Sequence, residues 1–114
     1  MTVLTLNRWN LTIGEGHPLV VIAGLNVLED LELARDAARH LKATAGELGL
    51  PYVFKASFDK ANRSSIRSFR GPGLEKGLEI LKAIKAEFDV PICTDLHEVD
   101  QAEAVAEVAD LVQI

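Results

Sequence analysis

The chain has 114 residues, of which 48% are hydrophobic and 25% charged, a balance typical of one folded domain and unlike a disordered segment. Its net charge of −5 argues against a nucleic-acid-binding domain, and its single cysteine excludes an internal disulfide framework. We see no secretory signal and no membrane-spanning stretch in the sequence, so we expect a cytoplasmic protein.

The N-terminal segment predicts a short two-stranded ribbon. Residues 2–6 and 10–13 alternate apolar and polar side chains, and glycines follow the second stretch. Residues 19–23 then form a continuous apolar run that ends at Gly24. Continuous apolarity is typical of a parallel strand that is covered on both faces.

The rest of the chain alternates helical and strand patterns. Apolar residues recur every three or four positions from residue 29 to residue 48, which predicts an amphipathic helix with Gly49 at its C-terminal cap. Gly71-Pro72-Gly73 opens a second helix, whose apolar stripe runs to Phe88. Strands are predicted at residues 52–56, 91–95 and 111–114, and a short third helix at residues 99–107.

Four strands that alternate with three helices predict an α/β fold with a parallel sheet and crossover connections. Two architectures fit this order. One is an open, doubly wound sheet. The other is a (β/α)8 barrel, which needs about 250 residues, so that this chain would supply about the first half.

Polar side chains follow or end every strand of this predicted sheet. Since ligands of parallel α/β folds bind beyond the carboxyl ends of the strands, we expect these groups to form a site. Residues two apart on a strand share a face, which pairs Lys55 with Ser57 and Asp95 with His97. The full set of these residues is Asn26, Lys55, Ser57, Asp95, His97 and Gln113.

The second strand leads into a strongly basic segment. Residues 55–70 contain five cations and one acid, Asp59, whereas the remainder of the chain has 7 basic and 16 acidic residues. Serine and asparagine side chains lie between these cations. Lysine and arginine both bind phosphate oxygens, so the segment predicts a binding loop for phosphorylated small molecules. The five cations are Lys55, Lys60, Arg63, Arg67 and Arg70.

Each of these residues also has an ordinary structural interpretation. Lys55 would extend to solvent from the end of a strand, Asp95 would cap the turn into the third helix, and His97 would hydrogen-bond within that turn. Cys93 is best explained as a small buried hydrophobic residue. His97 has no second ligand at a metal-binding spacing in the sequence.

Four motifs in this sequence resemble one enzyme family. They are FKASFDKANRSS at residues 54–65, RGPGLE at 70–75, TDLHE at 94–98 and DLVQI at 110–114. Together they resemble the 3-deoxy-D-manno-octulosonate 8-phosphate synthases, and the resemblance spans about residues 19–114. The run KANRSS is its most specific part.

The resemblance implies a fold and an assembly. It implies a (β/α)8 TIM barrel with an N-terminal β-hairpin, in which residues 1–16 form the hairpin and residues 19–114 the first four strands and three helices of a single domain. Members of the family are usually homotetramers. Because this chain ends at the fourth strand, we expect the fragment alone to have little or no activity.

The resemblance also implies a reaction. The family condenses phosphoenolpyruvate with D-arabinose 5-phosphate and releases phosphate, which yields an eight-carbon precursor of lipopolysaccharide. The related synthase of aromatic biosynthesis uses erythrose 4-phosphate and has a Lys-Pro-Arg-Thr run, so the sequence at residues 62–64 favours the five-carbon sugar. Neither a nucleic acid nor a membrane is an expected partner.

Roles for individual residues follow from the resemblance. Lys55 and Lys60 match lysines of the phosphoenolpyruvate site, and Asp95 matches a residue near the sugar hydroxyls and reacting carbons. His97 lies close to Asp95 in a supporting role. The catalytic set implied is Asn26, Lys60, Asp95 and His97, and the substrate-binding set is Lys55, Ser57, Lys60, Asn62, Arg63, Ser64 and Gln113.

The position of Asn26 bears on metal dependence. Metal-dependent members of the family have a cysteine ligand after the first strand, and this chain has Asn26 there. A neutral amide oxygen is a poorer ligand than thiolate for zinc or ferrous iron. The resemblance therefore implies a metal-independent enzyme without a cofactor.

Two functions of other classes remain open at the level of sequence. One is an aldolase that forms a Schiff base with Lys55. The other is a non-catalytic module that binds phosphate or RNA through the basic segment, against which the acidic remainder of the chain argues.

Overall fold

A computed structural model describes residues 2–60 and 71–114. Its N-terminal part is an antiparallel hairpin of β1 (Val3–Leu6) and β2 (Leu11–Gly14). A 3-10 turn at Asn7–Trp9 joins the two strands, and Asn10 ends it with a left-handed conformation (φ 51°). Asparagine tolerates this conformation better than most residues. The predicted ribbon is therefore present.

Within residues 2–60 and 71–114, the main sheet has four parallel strands in the order in which they occur along the chain. They are β3 (Val21–Val27), β4 (Tyr52–Ser57), β5 (Ile92–Asp95) and β6 (Leu111–Gln113). Each neighbouring pair is parallel, so every connection has to cross from one end of the sheet to the other. The structure confirms the predicted α/β class with a parallel sheet.

Helices provide the crossovers: α1 (Leu31–Glu47), α2 (Leu74–Phe88) and α3 (Ala102–Val108). Asp30 caps α1 by accepting a hydrogen bond from the backbone N–H of Leu33 at 2.8 Å, and Gly49 lies just beyond its end at φ +68°. The predicted third helix divides into a 3-10 turn, Val99–Gln101, and α3. Among the described residues no helix is both long and apolar enough to cross a bilayer.

The two faces of the sheet have different coverings. The helices pack on one face and form the main core, in which Phe54, Phe58 and Ile92 are fully buried. On the other face, the hairpin packs against the amino-terminal part of the strands and forms a smaller cluster around Leu11, Val53 and Cys93. Cys93 is 6% exposed, which confirms its interpretation as a buried hydrophobic residue.

The first strand of the sheet differs from its prediction in two respects. β3 does not end at Gly24 but continues to Val27, so that Asn26 lies inside the strand. β3 is also not covered on both faces, since Ile22 is 44% exposed. A Cβ atom at Gly24 would lie 1.9 Å from the carbonyl oxygen of Lys55, so the glycine permits close pairing with β4 and does not terminate the strand.

Candidate functional site

The candidate site lies on the hairpin-covered face of the sheet, toward the carboxyl ends of the strands. Val53 and Cys93 contact the hairpin, and side chains two or four residues further on share their face. The strand register sets Lys55 opposite Cys93, and Asp95 opposite Gln113. Lys55, Ser57, Asp95 and Gln113 are thus on one face, beyond the cluster under the hairpin.

Two buried polar atoms in this region have no hydrogen-bond partner in the described part of the chain. They are the hydroxyl oxygen of Ser57, a fully buried residue, and Oδ1 of Asp95, whose side chain is 15% exposed. Buried polar atoms in folded proteins are nearly always satisfied, and leaving one unsatisfied costs about 1–3 kcal/mol. Their shared face and adjacent strands indicate a place where a bound molecule or water completes the hydrogen bonding.

The electrostatics of the face are set by Lys55, Cys93 and Asp95. The pKa of the Cys93 thiol is raised, mainly by burial. The positive charge of Lys55 lowers this pKa, and the negative charge of Asp95 raises it. Lys55 is half-buried inside β4, and no carboxylate of residues 2–60 or 71–114 forms an ion pair with its ammonium group. A half-buried cation of this kind suits an anionic ligand.

His97 connects the end of β5 to the segment that follows β4. Its ring Nε2 lies 2.6 Å from the backbone carbonyl oxygen of Asp59 and 3.5 Å from Oδ2 of Asp95. The ring also makes an edge-to-face contact with Phe58, with the centroids 6.1 Å apart. The structure therefore brings Asp95 and His97 together, and the imidazole reaches beyond its own turn.

The turn after β5 is capped by a residue that the sequence analysis did not identify. Oε1 of Gln101 accepts hydrogen bonds from the backbone N–H groups of His97 at 2.9 Å and Glu98 at 3.2 Å. Gln101 stands three residues after Glu98, the spacing of a capping box, and this pattern was the available signal. Asp95 is therefore not required as a cap.

A second unpredicted contact holds the adjacent strands together. Thr94 is fully buried, and its hydroxyl donates a hydrogen bond of 2.7 Å to the carbonyl oxygen of Ala56. Backbone pairing between β4 and β5 covers only the rows of Phe54 and Lys55. The threonine side chain extends the connection toward the site, beyond the last paired row.

Two other predicted site residues, Asn26 and Lys60, lie near the ends of β3 and β4. Asn26 is exposed near the end of β3, at an irregularity where the pairing with β4 skips one residue between Leu25 and Val27. Lys60 is half-buried two residues after Phe58. No group of three or more His, Cys, Asp or Glu residues suited to a metal ion occurs within the described ranges.

The predicted substrate-binding residues Asn62, Arg63 and Ser64 lie outside the described residues, as do Arg67 and Arg70. The described residues that precede and follow this stretch contact each other at Phe58. Its carbonyl oxygen accepts a hydrogen bond from the backbone N–H of Gly73 at 3.1 Å. A Cβ atom at Gly71 would lie 2.3 Å from the same oxygen, and one at Gly77 would lie 2.4 Å from the Phe58 Cβ.

Comparison with known proteins identifies the family. The model of the DAHP synthetase I family matches residues 1–114. Proteins named 2-dehydro-3-deoxyphosphooctonate aldolase are 49% identical over 114 residues in Parasynechococcus marenigrum (100% of this chain, 40% of the relative) and 55% identical over 109 residues in Marinobacter nauticus (96% and 39%). The one from Hahella chejuensis is 51% identical over 114 residues (100% and 41%).

The chain therefore spans about two-fifths of the length of these relatives. Their name is a synonym of the synthase that motifs such as KANRSS resemble, so the comparison confirms the resemblance. The chain belongs to the DAHP synthetase I family.

Proposed function

We propose that the protein condenses phosphoenolpyruvate with D-arabinose 5-phosphate to give 3-deoxy-D-manno-octulosonate 8-phosphate and inorganic phosphate, a step of lipopolysaccharide precursor biosynthesis. The relatives' name supports this reaction over condensation with erythrose 4-phosphate. The structural observation that carries the proposal is the half-buried Lys55 beside two buried polar atoms, on Ser57 and Asp95, that have no hydrogen-bond partner among the described residues. This face offers both charge and unused hydrogen-bonding capacity to an anionic, hydroxyl-bearing ligand.

The proposed roles divide between the two esters. The ammonium groups of Lys55 and Lys60 bind the phosphate and carboxylate of phosphoenolpyruvate, supported by Ser57 and Gln113 from the same face. Asp95 receives hydroxyl groups of the sugar, since its Oδ1 accepts no hydrogen bond from the described residues. The sugar phosphate is assigned, from the sequence alone, to Asn62, Arg63 and Ser64.

The proposed chemistry needs no covalent link to the protein. C3 of phosphoenolpyruvate attacks the sugar aldehyde and forms the new carbon–carbon bond, and the aldehyde oxygen takes up a proton. Water adds at C2, and phosphate leaves by cleavage of the carbon–oxygen bond at C2. The cations hold two anionic reactants close together and stabilise charge that moves during the reaction. Because phosphoenolpyruvate is already an enol ester, a Schiff base on Lys55 is unnecessary.

We also propose the finer architecture. Strands β3–β6 would be the first four strands of a single-domain (β/α)8 barrel, and the hairpin would close its amino-terminal end, as its packing around Leu11 supports. The assembly would be a homotetramer in the cytoplasm. With Asn26 at the position of the family's cysteine ligand, the reaction would require no metal.

A two-substrate assay tests the proposed function. The protein is expressed from its complete open reading frame and supplied with phosphoenolpyruvate and either D-arabinose 5-phosphate or erythrose 4-phosphate. We expect phosphate release only when arabinose 5-phosphate is present, together with an eight-carbon product in the mass spectrum. Efficient use of erythrose 4-phosphate, or phosphate release without a sugar, would contradict the proposal.

A further inference from the structure

The hydrogen bond between His97 and Asp59 fixes the backbone immediately before Lys60. A backbone carbonyl oxygen can only accept a hydrogen bond, so Nε2 of His97 carries a hydrogen and donates the hydrogen bond, with 2.6 Å between Nε2 and the oxygen. Asp59 lies two residues beyond Ser57, the last residue of β4. The imidazole of His97 thus contacts the backbone beyond the end of the strand.

The imidazole is itself held from several sides. The backbone N–H of His97 donates to Oε1 of Gln101 at 2.9 Å, and the His97 ring contacts the fully buried Phe58. The His97 side chain is only 19% exposed. Phe58 in turn accepts a hydrogen bond from Gly73 and packs closely against Gly77 of α2. The donor atom therefore has a fixed position relative to both β5 and α2.

We propose that His97 is a positioning residue, which tethers the Asp59 carbonyl group so that the adjacent Lys60 ammonium is held in place for phosphoenolpyruvate. This inference rests on the proposed function, in which Lys60 binds that ester. His97 acts through Lys60 and does not itself contact the reacting atoms. A tether of this kind lowers the entropy that Lys60 loses when it binds an anion.

Two amide substitutions separate the tether from general packing. In His97→Gln the amide nitrogen can reach about as far as Nε2, whereas in His97→Asn it reaches only about as far as Nδ1. We expect His97→Asn to raise the KM for phosphoenolpyruvate about tenfold, the equivalent of one hydrogen bond. We expect His97→Gln to stay within about threefold of the original protein, and both variants to keep the KM for the sugar phosphate.

A double substitution tests whether His97 acts through Lys60. Once Lys60→Ala has removed the ammonium group, we expect His97→Asn to raise the KM for phosphoenolpyruvate no further. The inference would be overturned if the effects of Lys60→Ala and His97→Asn on the KM for phosphoenolpyruvate multiplied in the double variant. It would also be overturned if the asparagine and glutamine variants of His97 had equal effects.

Hydrogen exchange tests the tether without any reference to catalysis. We expect amides of residues 58–60 to exchange faster in His97→Asn than in His97→Gln or the original protein. Unchanged exchange in the asparagine variant would refute the tether, even if the original protein forms no product. Failure of the proposed function would instead appear in the unmodified protein, as the absence of condensation.

Discussion

Replacing Gly77 with alanine should destabilise the protein, although alanine is the better helix former. Helix propensity alone favours alanine by about 1 kcal/mol. At Gly77, however, the new Cβ atom would lie 2.4 Å from the Cβ of Phe58, far inside the normal carbon–carbon contact distance of about 3.5–4.0 Å. Overpacking of a core costs about 1–3 kcal/mol. Since neither carbon belongs to a flexible side-chain end, we expect the free energy of unfolding to fall by up to about 2 kcal/mol, which is the overpacking cost less the gain in helix propensity.

A second glycine provides a matched control for this effect. Gly46 lies in α1, where a new Cβ atom would meet no heavy atom within 4 Å, so Gly46→Ala should be neutral or slightly stabilising. The midpoint of urea denaturation, measured by circular dichroism, compares the two variants. Because Gly77 packs on Phe58 next to the Asp59–Lys60 backbone, Gly77→Ala should also raise the KM for phosphoenolpyruvate. Equal stability of the two variants would refute the close-packing argument.

Three further predictions concern substrate binding, stability and metals. Lys60→Ala should raise mainly the KM for phosphoenolpyruvate, by about tenfold or more, and Arg63→Ala mainly that for the sugar phosphate; unchanged constants in steady-state kinetics would contradict both roles. Asp110→Ala should lower the free energy of unfolding by about 3 kcal/mol in urea denaturation, because it removes the carboxylate 3.1 Å from the ammonium of Lys85, which is 12% exposed and keeps only the carbonyl oxygen of Val108, and it removes the acceptor of the Ile92 N–H; a loss below about 1 kcal/mol would show that the pair is dispensable. Because the proposed reaction requires no metal, activity should persist in a chelator, whereas activity that disappears and returns with manganese would exclude metal independence.

The sequence predicted the order of strands and helices because their periodicities differ and because glycines mark several helix ends. It also placed Lys55 with Ser57, since side-chain alternation along a strand is a local property, and it placed Asp95 near His97, although β5 ends at Asp95 and the two side chains meet in the turn that follows. Gly24 shows where this reasoning fails. A glycine that permits close strand pairing looks the same in sequence as one that terminates a strand.

Contacts between distant residues could not be predicted from local patterns. The hydrogen bond from His97 to the Asp59 carbonyl joins residues that are 38 positions apart, and a backbone acceptor carries no side-chain signal. The same holds for Thr94 and the carbonyl oxygen of Ala56. Exposure of β3 was also missed, because an apolar strand has the same composition at the edge of a sheet as in its centre.

A crystal structure with phosphoenolpyruvate bound tests the central claim most directly, namely that the carboxyl ends of β4 and β5 form a binding site for phosphate esters. The account predicts phosphate or carboxylate oxygens within about 2.7–3.2 Å of the ammonium groups of Lys55 and Lys60, on the face that carries Ser57 and Asp95. Ordered phosphoenolpyruvate at the hairpin end of the sheet, away from both lysines, would contradict it.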